Sequence, residues 1–125
     1  MLNQNLKIID TVVREYITAV VFTDCGDTEQ PPSDITFSDQ AVFRAISECA
    51  DFIGQCEQAG LLTEYAKTNY TWDSFAHDFW FTRNHHGVGF WDRGIGELGD
   101  KLTKIANNFG SSYFYEGDDG LGYFG

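Results

Sequence analysis

Several things are missing from this 125-residue sequence, and each absence narrows the reading. There is no long apolar run: the longest, Ala19-Val20-Val21-Phe22, is four residues, against the roughly 20 that a membrane-spanning helix needs. The opening MLNQNLKIIDTVV has neither the basic segment nor the small-residue cleavage site of a secretory leader, so a soluble intracellular protein is expected. Basic residues are scarce. Eight Lys and Arg against 19 Asp and Glu give a formal net charge of -11 and a pI near 4.3. That balance excludes nonspecific nucleic-acid binding, which needs cations to displace counterions, and disfavours anionic membranes. Cysteines number three, Cys25, Cys49 and Cys56. An odd count without a leader argues against a disulfide framework, so reduced core thiols are expected. No C-x-x-C, no G-x-S-x-G turn and no internal repeat occurs, and neither a metal nor a cofactor is expected.

What is present is a core. The chain is 42% hydrophobic and 16% aromatic, unlike an acidic disordered tail. A single compact domain over 1–125 follows from the length. The pattern predicts an α+β fold, mostly helical, with about four helices packed on a small C-terminal β-hairpin or strand pair. Leu6, Ile9, Val13, Tyr16, Ile17 and Val20 fall on one face of a helix over 5–22. Residues 23–37 hold both prolines and four acidic groups and read as an acidic loop. Ser38 caps a helix over 39–58 whose stripe is Val42, Ile46, Cys49, Phe52, Ile53 and Cys56. Gly60 ends that helix. Leu61 to Lys67 makes a short helical turn, and Thr71 caps a helix over 72–82. Residues 90–93 read as extended, 95–109 as a helix ending at Gly110, 112–116 as a strand, and the tail as a turn with a second short strand.

The densest chemistry lies in residues 77–93, HDFWFTRNHHGVGFWDR. All three histidines, two tryptophans and two arginines sit there among aromatic rings and two glycines. Such walls with convergent polar groups suit a pocket. The candidate ligand-binding residues are His77, Asp78, Trp80, Arg83, Asn84, His86, Trp91 and Asp92; no catalytic residue is assigned. His77 shares a helical face with Trp80 and Phe81, and Asp78 with Phe75 and Thr82. An ion pair of Arg83 with Asp78 or Asp92 is expected. Two metal chemistries fit poorly. An HD-type phosphohydrolase needs a histidine upstream of its His-Asp pair, and none precedes His77. A histidine-asparagine-histidine nuclease needs a ββα metal finger and a basic path. Anion binding by Arg83, His86 and the glycine-flanked amides, with Trp80, Phe90 or Trp91 stacking on a base, remains open. So does plain bracing of an irregular turn against the core.

The run from His77 to Asp100 resembles a family of small bacteriophage and prophage proteins with an HDFWxTRNxHGxGFWDRG signature. His77, Asp78, Phe79, Trp80, Thr82, Arg83, Asn84, His86, Gly87, Gly89, Phe90, Trp91 and Asp92 match it, while His85 falls at a variable position. The later segment Tyr113 to Gly120, YFYEGDDG, fits as well. The resemblance covers about the last 50 residues and implies a phage origin without implying an activity.

Two functions follow as expectations. The leading one is a noncatalytic, phage-encoded accessory protein in the cytoplasm of the infected bacterial host. It would bind a host protein, a defence factor or one with a basic nucleic-acid-binding surface, through acidic groups. Glu48 and Asp51 on the outer face of the second helix, with loop 23–37, are the candidate partner contacts. The alternative is a binder or small hydrolase for a small anionic ligand or nucleotide, built on residues 77–93. There His86 would serve as acid-base or phosphate contact, Arg83 would hold the anion, and Asp92 would orient a histidine or metal.

Overall fold

The computed structural model describes residues 2–24, 36–86 and 89–125. Most of the acidic loop, Cys25 and Gly87 lie outside them. Helix α1 spans Leu2–Asp24, α2 Asp39–Gln58, α3 Leu61–Ala66, α4 Trp72–Arg83 and α5 Glu97–Asn107. Strand β1 is Thr36–Phe37, β2 Phe114–Glu116 and β3 Leu121–Phe124. The fold is therefore α+β and mostly helical, with a small sheet at the C-terminal end.

Local chemistry sets most boundaries. Ser38 Oγ accepts the Ala41 N–H at 3.0 Å at the start of α2, and Thr71 Oγ1 accepts the Ser74 N–H at 3.2 Å at the start of α4; each serves one of the donors that a helix start leaves without a partner. Gly60 takes the left-handed conformation (φ +75°) that lets the chain turn from α2 into α3.

The sheet has the order β1-β3-β2. β2 and β3 form the expected hairpin, with Tyr115 opposite Tyr123. β1, inside the span read as loop, runs parallel to β3 with Thr36 opposite Leu121. Two residues carry too little periodicity to announce a strand.

The core lies where α1, α2, α4 and α5 meet. Phe52 is its centre: its ring stacks on Phe79 at 4.1 Å and 3°, and packs near Phe75, Phe90 and Phe109. Helix α2 turns farther toward its small residues than expected. Ala41 and Ala45 are buried, whereas Ile46 is 43% exposed and Val42 only half-buried. The backbone of Ser38 is bonded to Gly122 of β3 at 3.0 Å, so this end of α2 is pinned against the sheet, and alanines permit that closeness. Likewise Val12 and Ala19 join Tyr16 and Val20 on the buried face of α1, while Ile9, Val13 and Ile17 sit at its margin. Residues 90–93 form one 3-10 turn rather than an extended piece. Cys49 and Cys56 are buried and free. No described helix is long and apolar enough to cross a membrane.

Candidate functional site

Helix α4 carries the first half of the signature, and its polar side chains leave in three directions. Asp78 is fully buried and faces the 3-10 turn. Both its oxygens accept from Arg93, Nε to Oδ2 and Nη2 to Oδ1, each at 2.8 Å. A planar guanidinium fits a carboxylate in this two-pronged way. Burial pushes the Asp78 carboxyl above its ordinary range, against the opposing pull of Arg93. The Arg93 guanidinium also lies 5.0 Å from the centre of the Tyr70 ring, and the Tyr70 hydroxyl donates to the Arg93 carbonyl at 2.9 Å. The expected Asp78–Arg83 pair is therefore replaced by Asp78–Arg93, because Arg83 leaves the helix on the other side.

Arg83 is 1% exposed. Its Nη1 donates to Glu48 Oε2 at 2.7 Å and to the Tyr16 hydroxyl at 3.0 Å. Its Nε and Nη2 donate to the carbonyls of Gly110 (2.8 Å) and Phe109 (3.2 Å). The guanidinium is sandwiched near the Phe79 and Phe109 rings. One side chain thus ties α4 to α1, to α2 and to the connection after α5. This corrects the position of Glu48. It does not stand on an outer face; it sits between Arg83 and Arg44, whose Nε is 3.1 Å from Oε1. Asp51 does remain exposed. Burial raises the Tyr16 hydroxyl and the Cys49 thiol far above their usual ranges, which keeps both neutral beside the ion pair.

Asn84 and Trp80 extend the same bracing. Asn84 Nδ2 donates to the Trp80 carbonyl at 3.0 Å, and its Oδ1 accepts the Ser112 N–H at 2.7 Å. The Trp80 indole is buried and donates to Thr23 Oγ1 at 2.7 Å.

The paired histidines finish the helix. The His86 N–H reaches the Phe81 carbonyl at 3.0 Å and the His85 N–H the Thr82 carbonyl at 3.1 Å. His85 has φ +58°. Those two bonds and one left-handed residue make a Schellman cap, with the His86 ring 5.8 Å from Phe81 as its usual apolar contact. Helix capping was not foreseen for these residues, since the left-handed position is usually glycine and here falls on His85. A Cβ at Gly89 would lie 2.5 Å from Trp91 Cζ3 and 2.6 Å from Thr82 Oγ1, which accounts for a glycine there.

The eight candidates therefore do not converge. Asp78, Trp80, Arg83 and Asn84 point into the protein, His86 caps, and Trp91 and Asp92 are exposed on the 3-10 turn. Among the described residues, His77 borders a groove of about 320 Å³ with Thr18, Ala19, Phe22 and Phe81. Its Nε2 is buried, 3.2 Å from Glu15 Oε1, at an angle that makes no hydrogen bond. A larger cleft, about 540 Å³, lies between Lys7, Ile8, Thr11, Leu62, Thr63 and Trp72 and uses none of the signature. Among the described residues no three His, Cys, Asp or Glu side chains gather closely enough to hold a metal ion.

No protein-family model, curated protein or solved structure matches this chain.

Proposed function

We propose that this protein is a noncatalytic accessory factor that binds a basic protein surface through its own acidic one. The observation that carries the reading is the fate of its arginines. All four lie within ion-pair distance of carboxylates of the same chain: Arg83 with Glu48 and Arg93 with Asp78 in buried pairs, Arg44 with Glu48 and Arg14 with Asp10 in more exposed ones. The net charge of -11 is thus carried largely by carboxylates with no arginine of their own. Asp39, Asp51, Glu64, Asp73 and Glu97 are among those exposed. Such a field attracts cationic partners and accelerates their encounter. On the strength of the signature resemblance, the protein is phage-encoded and its partner is a defence or nucleic-acid-handling protein in the host cytoplasm. Internal use of Asp78, Arg83 and Asn84 supports a noncatalytic role for the motif.

The test is capture of host proteins, purification of the captured partner, and titration of the pure pair. Binding should weaken at least tenfold between 50 and 300 mM salt, and a DNA duplex should compete for the partner, by counterion and charge arguments. Binding indifferent to both salt and duplex would overturn the reading.

One observation favours a second reading. The His77 ring walls the groove with Phe22 and Phe81, its buried Nε2 facing Glu15 Oε1 at 3.2 Å, and this lining would suit a small aromatic ligand such as a nucleotide base. A nucleotide that raises the melting temperature of wild type but not of His77→Ala would establish it; equal shifts in both proteins would dismiss it.

A further inference from the structure

The outer face of the C-terminal hairpin carries a row of three tyrosines. Tyr113 is 61% and Tyr115 45% exposed. Tyr113 and Tyr115 have ring centroids 5.8 Å apart, and Tyr115 stacks with Tyr123 across the strands at 5.9 Å and 26°. Their neighbours Phe114 and Phe124 point the other way, into the core. This is the alternation expected of a sheet with one buried face, except that the outer face is aromatic rather than charged.

Glycines clear the space. A Cβ on Gly125 would fall 2.3 Å from the Tyr113 ring, and one on Gly117 2.7 Å from the Tyr123 ring. The rings of Tyr113 and Tyr123 therefore lie close over backbone instead of standing free. At the turn end of the row, Asp119 is held in place. Its Oδ2 accepts from the Tyr123 hydroxyl and its Oδ1 accepts the Leu121 N–H at 3.0 Å. Those bonds keep the Asp119 carboxyl below its ordinary range. Asp118 is exposed beside it.

Flat tyrosine faces ending at a fixed carboxylate match one chemistry. A guanidinium stacks on an aromatic face by its plane and offers paired donors to a carboxylate. This chain already uses the combination internally, where Arg93 lies against Tyr70 and is bonded to Asp78. The arginines nearest the core, Arg83 and Arg93, are held by Glu48 and Asp78, so the row would be filled from outside.

We propose that the Tyr113–Tyr115–Tyr123 row, with Asp118 and Asp119, is the docking surface for an arginine-bearing segment of a basic protein partner. The proposal rests on the acidic-surface reading above and assigns its contact.

An acetylated octa-arginine peptide serves as probe, titrated into the 125-residue protein at 50 mM salt and followed by NMR, with octa-lysine as comparison. Octa-arginine should shift the ring signals of Tyr113, Tyr115 and Tyr123 and bind at least fivefold tighter than octa-lysine. Tyr113→Ser/Tyr115→Ser changes no charge and should weaken octa-arginine at least tenfold while the protein stays folded by circular dichroism at the assay temperature, the lost ring pairs lowering its melting temperature by only a few degrees. Tyr113→Phe/Tyr115→Phe should restore it. Equal binding by wild type and the serine double variant, or equal affinity for the two peptides, would overturn the docking site while leaving the acidic-surface reading intact. No binding of either peptide by wild type would overturn both.

Discussion

Arg83→Met is the most demanding test of the bracing assigned to the signature. The substitution keeps an unbranched apolar stem and removes the guanidinium. Four hydrogen bonds disappear together: those to Tyr16, Glu48, Phe109 and Gly110. Removing one partner of a buried ion pair costs about 3–5 kcal/mol, mostly because the other is left stranded. Glu48 is not wholly stranded, since Arg44 stays 3.1 Å away. The Tyr16 hydroxyl, on a fully buried residue, and two carbonyls nevertheless lose a donor, at about 1 kcal/mol or more each. The expected loss is about 3–4 kcal/mol. For a domain of this size that is a fall in Tm of about 10–15 °C. In urea it is a midpoint shift of about 1.5–2 M for an m-value near 2 kcal/mol/M. Arg83→Lys should recover little, because an ammonium cannot span Glu48 and the two carbonyls. Urea unfolding followed by tryptophan fluorescence and by circular dichroism gives both numbers. A loss below about 1 kcal/mol in a variant with coincident transitions would refute the argument and return Arg83 to the list of ligand-binding groups.

Three further outcomes follow from particular atoms. His85→Gly should raise stability by about 0.5–1 kcal/mol in urea titrations, since His85 holds a left-handed φ of +58° that glycine adopts without strain; a loss would mean that the imidazole makes a contact that matters. Gly122→Ala should cost about 1–3 kcal/mol, because its Cβ would fall 2.0 Å from Phe114 Cζ in a packed sheet, and an unchanged melting curve would count against that packing. Asp78 should titrate above 3.8 by carboxyl NMR, since burial outweighs Arg93. Folding then tightens its proton, so this group's contribution to stability is fully present below 3.8 and is lost as pH rises through the folded midpoint. A midpoint at or below 3.8 would show that Arg93 dominates instead.

Much of the fold was readable because it rests on local signals. Ser38, Thr71 and Gly60 mark helix ends by chemistry that needs no tertiary context. The hairpin could be read from the aromatic run of 112–116 and its Gly-Asp-Asp-Gly turn. The partners of the signature could not. Glu48 lies 35 positions from Arg83 and the Tyr16 hydroxyl 67, so the choice of Glu48 over Asp78 depends on which way two helices face. Helical phase was itself off by a small angle in α2, where Ala41 and Ala45 rather than Val42 and Ile46 turn inward. Hydrophobic stripes weigh size and ignore how closely an element must approach a sheet. The histidine pair misled for a different reason. Imidazoles suggest chemistry, whereas here the backbone of His85 and the ring of His86 close a helix.

The signature's richness in polar residue types has a structural use in the smallness of the sheet. Three strands of two to four residues cannot bury enough apolar surface to fix themselves, so their placement has to come from outside the ladder. Arg83 and Asn84 provide it, holding the 109–112 connection through Phe109, Gly110 and the Ser112 N–H, and Arg44 adds a bond to the Phe124 carbonyl at 3.3 Å. The hairpin that carries Tyr113, Tyr115 and Tyr123 is thereby attached rigidly to the helices. A loss of partner binding in an Arg83 or Asn84 variant would thus reflect displacement of that hairpin as readily as loss of a contact. Function must be separated from bracing at the exposed tyrosines and carboxylates, where a substitution leaves the core untouched.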